Sequence, residues 1–287
     1  MRRVADALRD ARAAGVDRLD AQLLLARRLQ RPRSWLLAHD DAELPDALAS
    51  GFDDDCRRRA SGEPLAYLID EREFHGLSLV VSPAVLVPRP ETEGLVDWAL
   101  ELLDGPLVGL ARPAVADLGT GSGAIAIAVA HGCARASVCA TDISAEALEV
   151  ARGNARQHGI TIEYLHGDWW QPLAGRQLDL VLSNPPYIAD GDPHLEALAH
   201  EPLTALTPGG DGLGALRCIV DGAGRHLRPG GWLLLEHGHD QGDAVRGLLV
   251  DAGFASVSTR ADLAGLPRCS GGRQGLGQAI SHDRIEG

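Results

Sequence analysis

The segment Ser183-Asn184-Pro185-Pro186-Tyr187-Ile188 leaves the apolar run Leu178-Asp179-Leu180-Val181-Leu182. Proline fixes φ, lacks an N–H, and pushes the residue before it out of the helical region. Asn184 and Pro185 are therefore held in an extended or turn conformation. A rigid strand exit is the plain reading, but most turns manage with Gly, Asn or Asp. The chemical reading uses two acceptors, the Asn184 side-chain oxygen and the Pro185 carbonyl, aimed rigidly by the two prolines. Together they can accept both N–H groups of a planar NH₂, with Tyr187 stacked on its flat face. Such a target is the exocyclic amine of adenine or the side-chain amide of Gln or Asn. Its lone pair is delocalised, so the nitrogen is a poor nucleophile. Rate then comes from positioning, fixed dipoles and a reactive donor, with no strong general base required.

A donor site lies upstream. Ala116-Asp117-Leu118-Gly119-Thr120-Gly121-Ser122-Gly123 closes a strand, and its glycines allow a tight turn that opens the next helix. Asp142 ends the following strand, where a carboxylate can accept from both ribose hydroxyls of an adenosine-containing ligand. His166-Gly167-Asp168-Trp169-Trp170 ends a third strand, offering an acid and a flat aromatic to an adenine. For Trp169 and Trp170 the competing reading is a pair of core aromatics. The glycine pattern alone fits a dinucleotide or S-adenosyl-L-methionine (SAM). A dehydrogenase has no evident need for SNPPY, so the ordered set points to SAM.

These motifs need a scaffold. The chain has 287 residues and is 45% hydrophobic, enough for one large or two modest domains. No apolar run has the length of a membrane span, and the amphipathic start MRRVADALRDARAAG lacks a secretory h-region. Cys56, Cys133, Cys139, Cys218 and Cys269 match no metal-ligand spacing and suit reduced thiols in a cytoplasm. No metal is expected. The net charge is −13, with 40 acidic against 27 basic residues, all of the latter arginine. That balance disfavours sequence-independent nucleic-acid binding and suits a basic protein partner.

Up to about residue 60 the chain reads as a small helical bundle without strands. Leu19, Leu23, Leu24 and Leu29 recur at helical spacing after the N-cap Asp17, and further helices are predicted over 34–38 and 45–59. EFHGLSLVVSPAVLVP, punctuated by Gly76 and Pro83, predicts a β-hairpin. Beyond Pro88, strand-like and helix-like segments alternate through FASVSTR, as in an α/β domain with a mainly parallel sheet. The tail GGRQGLGQAISHDRIEG is weakly patterned and expected to be partly disordered.

Over nearly its whole length the chain resembles the PrmC/HemK-type peptide-chain release factor glutamine methyltransferases. The shared segments are GEPLAYLIDEREFHGLSLVVSPAVLVPRPETE, DLGTGSG, SNPPYI, DPHL, EPLTAL, LLLEHG and DLAGLPR. RPETE ahead of DLGTGSG, joined to NPPYI and DPHL, is the specific combination. The resemblance implies a helical substrate-recognition domain (1–74), a β-hairpin linker (75–92), and a class I SAM-dependent methyltransferase domain (93–287). The last is α/β, Rossmann-like, with a mostly parallel seven-stranded sheet. It implies methyl transfer from SAM to the side-chain amide nitrogen of the glutamine in the Gly-Gly-Gln motif of class-1 release factors, leaving S-adenosyl-L-homocysteine. A cytoplasmic monomer is expected, with no direct contact to nucleic acid or membrane.

Carried onto this chain, Gly119, Thr120, Gly121, Ser122 and Gly123 would line the methionine part of SAM, Asp142 the ribose, and Asp168 with Trp169 the adenine. Asn184, Pro185 and Tyr187 would be catalytic, with Asn184 also beside the cofactor. Asn184 to Tyr187, Pro186 included, would hold the glutamine amide, and Arg89, Glu91 and Glu93 would wall the site. One departure is the short stretch Glu196–His200 between DPHL and EPLTAL, where the family has a longer one.

The rivals are a ribosomal-protein glutamine methyltransferase, an adenine-amine methyltransferase on nucleic acid, and a non-catalytic SAM- or nucleotide-binding module. RPETE and DPHL favour release factors over the first. The acidic charge and compact length disfavour the second, and an intact NPPY the third. His237 and His239 are expected at a strand end on the surface. Asp53–Asp55 and Arg57–Arg59 are expected as solvated charge runs.

Overall fold

The computed structural model describes residues 2–275. The expectation of disorder for the tail therefore lies outside the described residues from Leu276 onward. Its opening Gly271–Arg273 instead belongs to a paired strand. Both glycines there are crowded: a Cβ on Gly271 would sit 2.5 Å from Leu234, and one on Gly272 2.9 Å from Phe254. The weak pattern reflects close packing.

The N-terminal part holds α1 (Val4–Ala13), α2 (Arg18–Leu29), α3 (Arg33–Ala38), α4 (Asp46–Ala60) and α5 (Leu65–Ile69). Asp17 caps α2 by accepting the Leu19 N–H at 2.7 Å. Phe52, Leu24, Leu25, Leu36 and Leu44 form its core, all fully buried. A two-residue pair, β1 (Arg2–Arg3) with β2 (Glu43–Leu44), was not expected. Two alternating positions are too few to carry a sequence signal, and burial of Leu44 decides the pairing. The charge runs are also not simply solvated. Asp55 is buried, and both its oxygens accept from Arg28 at 2.6 Å. Arg59 reaches Asp20 on α2 at 2.7 Å, whereas Arg57 stays exposed.

A hairpin of β3 (Arg72–Phe74) and β4 (Leu77–Leu79) follows, then an extended strap over 80–89. A single 3₁₀ turn (Pro90–Thr92) leads into α6 (Glu93–Asp104). The rest alternates: β5 (Ala114–Leu118), α7 (Ala124–Gly132), β6 (Ser137–Asp142), α8 (Ala145–Gln157), β7 (Glu163–His166), β8 (Leu178–Ser183), α9 (His194–Ala197), α10 (Gly214–His226), β9 (Leu227–Glu236), α11 (Gly242–Asp251), β10 (Ala255–Ala261) and β11 (Pro267–Arg273). The seven strands lie in the order β10-β11-β9-β8-β5-β6-β7. The five from β9 to β7 are parallel, and β11 inserts antiparallel beside β9.

Helices cover both faces of this sheet, so its central strands are apolar throughout. Every residue of β8 is buried, Asp179 included. That aspartate is not a flaw in the strand: it accepts the Ala114 N–H and an Arg228 N–H, each at 2.7 Å, tying the starts of β5 and β9 to β8. From β5 the chain places β6 on one side and β8 on the other. The carboxyl ends of β5, β6 and β8 thus open onto a crevice, where ligands collect in such sheets. Among the described residues, no helix is long and apolar enough to cross a membrane.

Candidate active site

The crevice is a cavity of about 350 Å³. Four loops from the carboxyl ends of strands and the strap line it, among them Gly119–Ser122, Asp142, Asp168, Trp169, Asn184 and Pro186. The motifs found in the sequence are therefore neighbours in space, although 67 positions separate Gly119 from Pro186.

The glycines have separate tasks. Gly119 has φ +71°, and a Cβ there would lie 3.3 Å from the ring of Trp169, so a side chain would crowd that ring out of the cavity. Gly123 has φ +83°, and its absent Cβ lets Ile127 and Ala151 close at about 3 Å, packing α7 against α8. The Gly121 N–H donates to Asp142 Oδ2 at 2.8 Å, and the Ser144 N–H to Oδ1 at 2.9 Å. Each carboxylate oxygen thus has one amide partner and keeps a lone pair for the cavity. Burial raises the Asp142 pKa, opposed by the Ser144, Gly121 and Ile143 amides.

The two tryptophans divide as one cavity residue and one core residue. Trp169, with φ +38°, lines the cavity. Trp170 stacks on His226 with ring centroids 4.8 Å apart and donates to the Ile219 carbonyl at 3.1 Å. Asp168 sits exposed on the rim.

At the end of β8, Asn184 is half-buried and faces the cavity, and its Nδ2 donates to Thr92 Oγ1 at 3.2 Å. Pro185 is buried and Pro186 lines the wall. Tyr187 does not line the cavity. Its ring packs on the sheet's core, and its hydroxyl donates to Glu236 Oε1 at 3.3 Å. The Tyr187 carbonyl accepts from Gln241 at 2.9 Å. Burial, and then the charge of Glu236, raises the Tyr187 pKa.

Of the RPETE residues, only Arg89 and Thr92 line the cavity. Arg89 pairs with buried Glu201, whose other oxygen accepts the Val87 N–H at 3.0 Å. Glu91 is exposed on the turn. Glu93 accepts the His75 N–H at 3.0 Å and so holds the hairpin turn. Neither glutamate is part of the wall.

Buried residues not singled out from the sequence lie at the strand ends behind the site. Asp117, wholly buried at the end of β5, accepts from the Thr120 hydroxyl at 2.6 Å and the Ala126 N–H at 3.3 Å. Its Oδ1 is buried without a hydrogen-bond partner, and burial pushes its pKa up to about 7. Glu236, wholly buried at the end of β9, is likewise pushed to about 7, with the Thr92 hydroxyl and Arg268 acting against burial. His237 is fully buried, not a surface residue. It is bonded to Ser270 Oγ and to the Gly238 carbonyl, each at 2.8 Å. Only the segments LLLEHG and DLGTGSG carried a signal for Glu236 and Asp117, as acids inside apolar strands.

The strap that roofs the cavity is tied down along its length. Tyr67 of α5 donates to the Val85 carbonyl at 2.6 Å, and Arg72 to the Pro88 carbonyl at 3.2 Å. At its start, Asn154 of α8 accepts the Val80 N–H at 2.7 Å and donates to the Val80 and Ser122 carbonyls at 3.0 and 2.9 Å. Asn154→Ala would strand three backbone groups, each worth about 1 kcal/mol or more when left unpaired. We expect it to lower unfolding stability by about 2–4 kcal/mol in urea titrations. A loss under 1 kcal/mol would mean that other contacts hold the strap.

Comparison with known proteins agrees with this architecture. Residues 1–69 match the PrmC N-terminal domain, and residues 92–213 the methyltransferase small domain. The chain is 49% identical to the release factor glutamine methyltransferase of Xylella fastidiosa over 93% of this chain and 97% of that one. It is equally identical to that of Bordetella pertussis over 90% and 95%. Among solved structures, the catalytic domain of hMettl16 in complex with a MAT2A 3′UTR hairpin matches at TM-score 0.56 and 16% identity, over 85% of each chain. At that identity the likeness shows the class I methyltransferase fold alone. With two family models matching residues 1–69 and 92–213, and relatives 49% identical over at least 90% of this chain, the chain belongs to the release factor glutamine methyltransferase family.

Proposed function

We propose that this protein methylates the side-chain amide nitrogen of the glutamine in the Gly-Gly-Gln motif of class-1 release factors. The carrying observation is the full-length similarity to release factor glutamine methyltransferases, together with Asn184 on the wall of the cavity.

The residues present fit SAM. A glycine turn, an oriented Asp142 carboxylate and the Trp169 ring suit an amino acid, a ribose and an adenine in turn. In this reading Gly119–Gly123 hold the methionine part, Asp142 the ribose hydroxyls, and Asp168 with Trp169 the adenine. When bound, SAM supplies an electrophilic methyl on a sulfonium.

The chain's own residues do the rest. Asn184 Oδ1 and the Pro185 carbonyl accept the two N–H groups of the glutamine amide and turn its nitrogen toward the donor. The prolines keep both acceptors from following the substrate as it moves, so little reorganisation is needed. Tyr187, anchored through Glu236, holds the turn in register and does not move a proton. The surplus amide proton leaves to water after transfer. Arg89 walls the entrance, and residues 1–74, joined by the linker 75–92 to the transferase part 93–287, grip the release factor away from the glutamine.

Mass spectrometry tests this directly, with an unmodified release factor incubated with the protein and SAM beside a Gly-Gly-Gln→Ala control. The expected result is one added methyl on that glutamine, absent from the control. Transfer to ribosomal proteins or DNA instead would overturn the substrate assignment and leave the clamp chemistry standing.

A further inference from the structure

An asparagine amide is nearly symmetric in shape, so the wall of a cavity alone does not decide which end faces inward. For Asn184 the difference is decisive. With Oδ1 inward the residue accepts a substrate N–H; with Nδ2 inward it repels one. The group behind it is the Thr92 hydroxyl, which receives the Nδ2 donor at 3.2 Å. A hydroxyl by itself settles nothing, because it can donate or accept. Thr92 is 4% exposed, however, and Glu236, 1% exposed, keeps one buried oxygen, Oε2, without a hydrogen-bond partner, while the Thr92 hydroxyl is the group that most opposes the effect of burial on that carboxyl.

We propose that Thr92 and Glu236 are positioning residues that set the polarity of Asn184. This rests on the amide-clamp reading above. An ionised carboxylate only accepts, so it draws the one proton of Thr92 to itself. The lone pairs of Thr92 are then what Asn184 meets. Nδ2 must turn to Thr92, and Oδ1 is left for the cavity. A protonated Glu236 reverses the order: it donates to Thr92, whose proton becomes free to bond Asn184 Oδ1, and the amide turns over.

Four other groups face Glu236, one of them Cys269, its register partner on β11, whose thiol burial keeps protonated. Tyr187 donates from the loop after β8, Arg268 on β11 favours the charged form, and exposed Glu91 on the 3₁₀ turn opposes it. His237, next along the chain, is bonded elsewhere and kept neutral by burial. Burial outweighs the stabilising groups and holds the Glu236 pKa near 7. The clamp therefore has the right polarity above about pH 7 and loses it below.

The test compares Thr92→Val, Thr92→Ser and Asn184→Ala at saturating SAM, with SAM affinity measured by calorimetry. Thr92→Val keeps shape and removes the hydroxyl. It is expected to lower kcat roughly tenfold, in line with one lost orienting hydrogen bond, while SAM affinity and the KM for release factor stay within about twofold. Thr92→Ser is expected to restore turnover. A release factor carrying Gln→Glu in its Gly-Gly-Gln motif, used as a competitor, should gain on the valine variant, because an unpinned Asn184 can offer its NH₂. A merely structural role for Thr92 would not change that preference. If Thr92→Val turns over like the parent while Asn184→Ala does not, this inference fails and the clamp stands; if Asn184→Ala is also unaffected, the clamp itself fails. Should Thr92→Val fold poorly, the pH profiles of the parent and Glu236→Gln decide. The parent is expected to lose kcat below about pH 7, and the glutamine variant, which still accepts from Thr92 but cannot ionise, to be flat there. An acid limb unchanged in Glu236→Gln would overturn the proposal.

Discussion

Asn184→Ala is expected to lower turnover by roughly a hundredfold or more and to leave SAM affinity close to that of the parent. The size follows from the loss of a preorganised acceptor used where charge develops. The sparing of SAM follows from geometry: the groups suited to ribose and adenine are Asp142, Asp168 and Trp169, each on a different loop from Asn184. Stability should be little affected, because the only side-chain hydrogen bond of Asn184 among the described residues is the one to Thr92. Single-turnover kinetics with release factor, beside calorimetry with SAM, measure both halves. Turnover within threefold of the parent would eliminate the amide clamp. A parallel collapse of SAM affinity would mean that Asn184 serves the cofactor first.

Asp142→Ala has the opposite signature. Two charge-assisted hydrogen bonds to ribose hydroxyls would be lost, each about 1.5–3 kcal/mol. SAM binding should weaken by roughly a hundredfold or more. The Gly121 and Ser144 amides that Asp142 now holds would also lose their acceptor, so the glycine turn is expected to loosen with it. Asp142→Asn separates the two effects. It keeps one oxygen for the amides and the ribose but loses the charge, and should fall between parent and alanine. Turnover at saturating SAM should recover more fully in Asp142→Ala than in Asn184→Ala. An unchanged SAM affinity in Asp142→Ala would place the ribose elsewhere.

The order of motifs, the α/β alternation and the rigid turn at SNPPY were all legible in the sequence, because each depends on local rules. Proline restricts its neighbours, glycines open a turn, and an apolar run between breakers forms a buried strand. The helices over 34–38 and 45–59 were placed within a residue or two of α3 and α4 for the same reason. The tail glycines Gly271 and Gly272 were misread because glycine marks both loose chain and close packing, and only their neighbours Leu234 and Phe254 distinguish the two.

What the tertiary structure alone decided concerns side chains whose partners are far away in sequence. Trp169 and Trp170 are adjacent and chemically alike, yet one faces the cavity and the other stacks on His226. Glu91 and Glu93 share a motif with Arg89 and Thr92, yet one is solvent-exposed and the other holds a hairpin turn 18 residues back. Glu236 and Thr92 reach Asn184 and Tyr187 from separate elements, across 92 positions in the longest case. Sequence patterns record which face of an element is buried. They do not record which buried polar group meets which, because that pairing is set by the packing of whole elements and by the need of every buried donor and acceptor to find a partner.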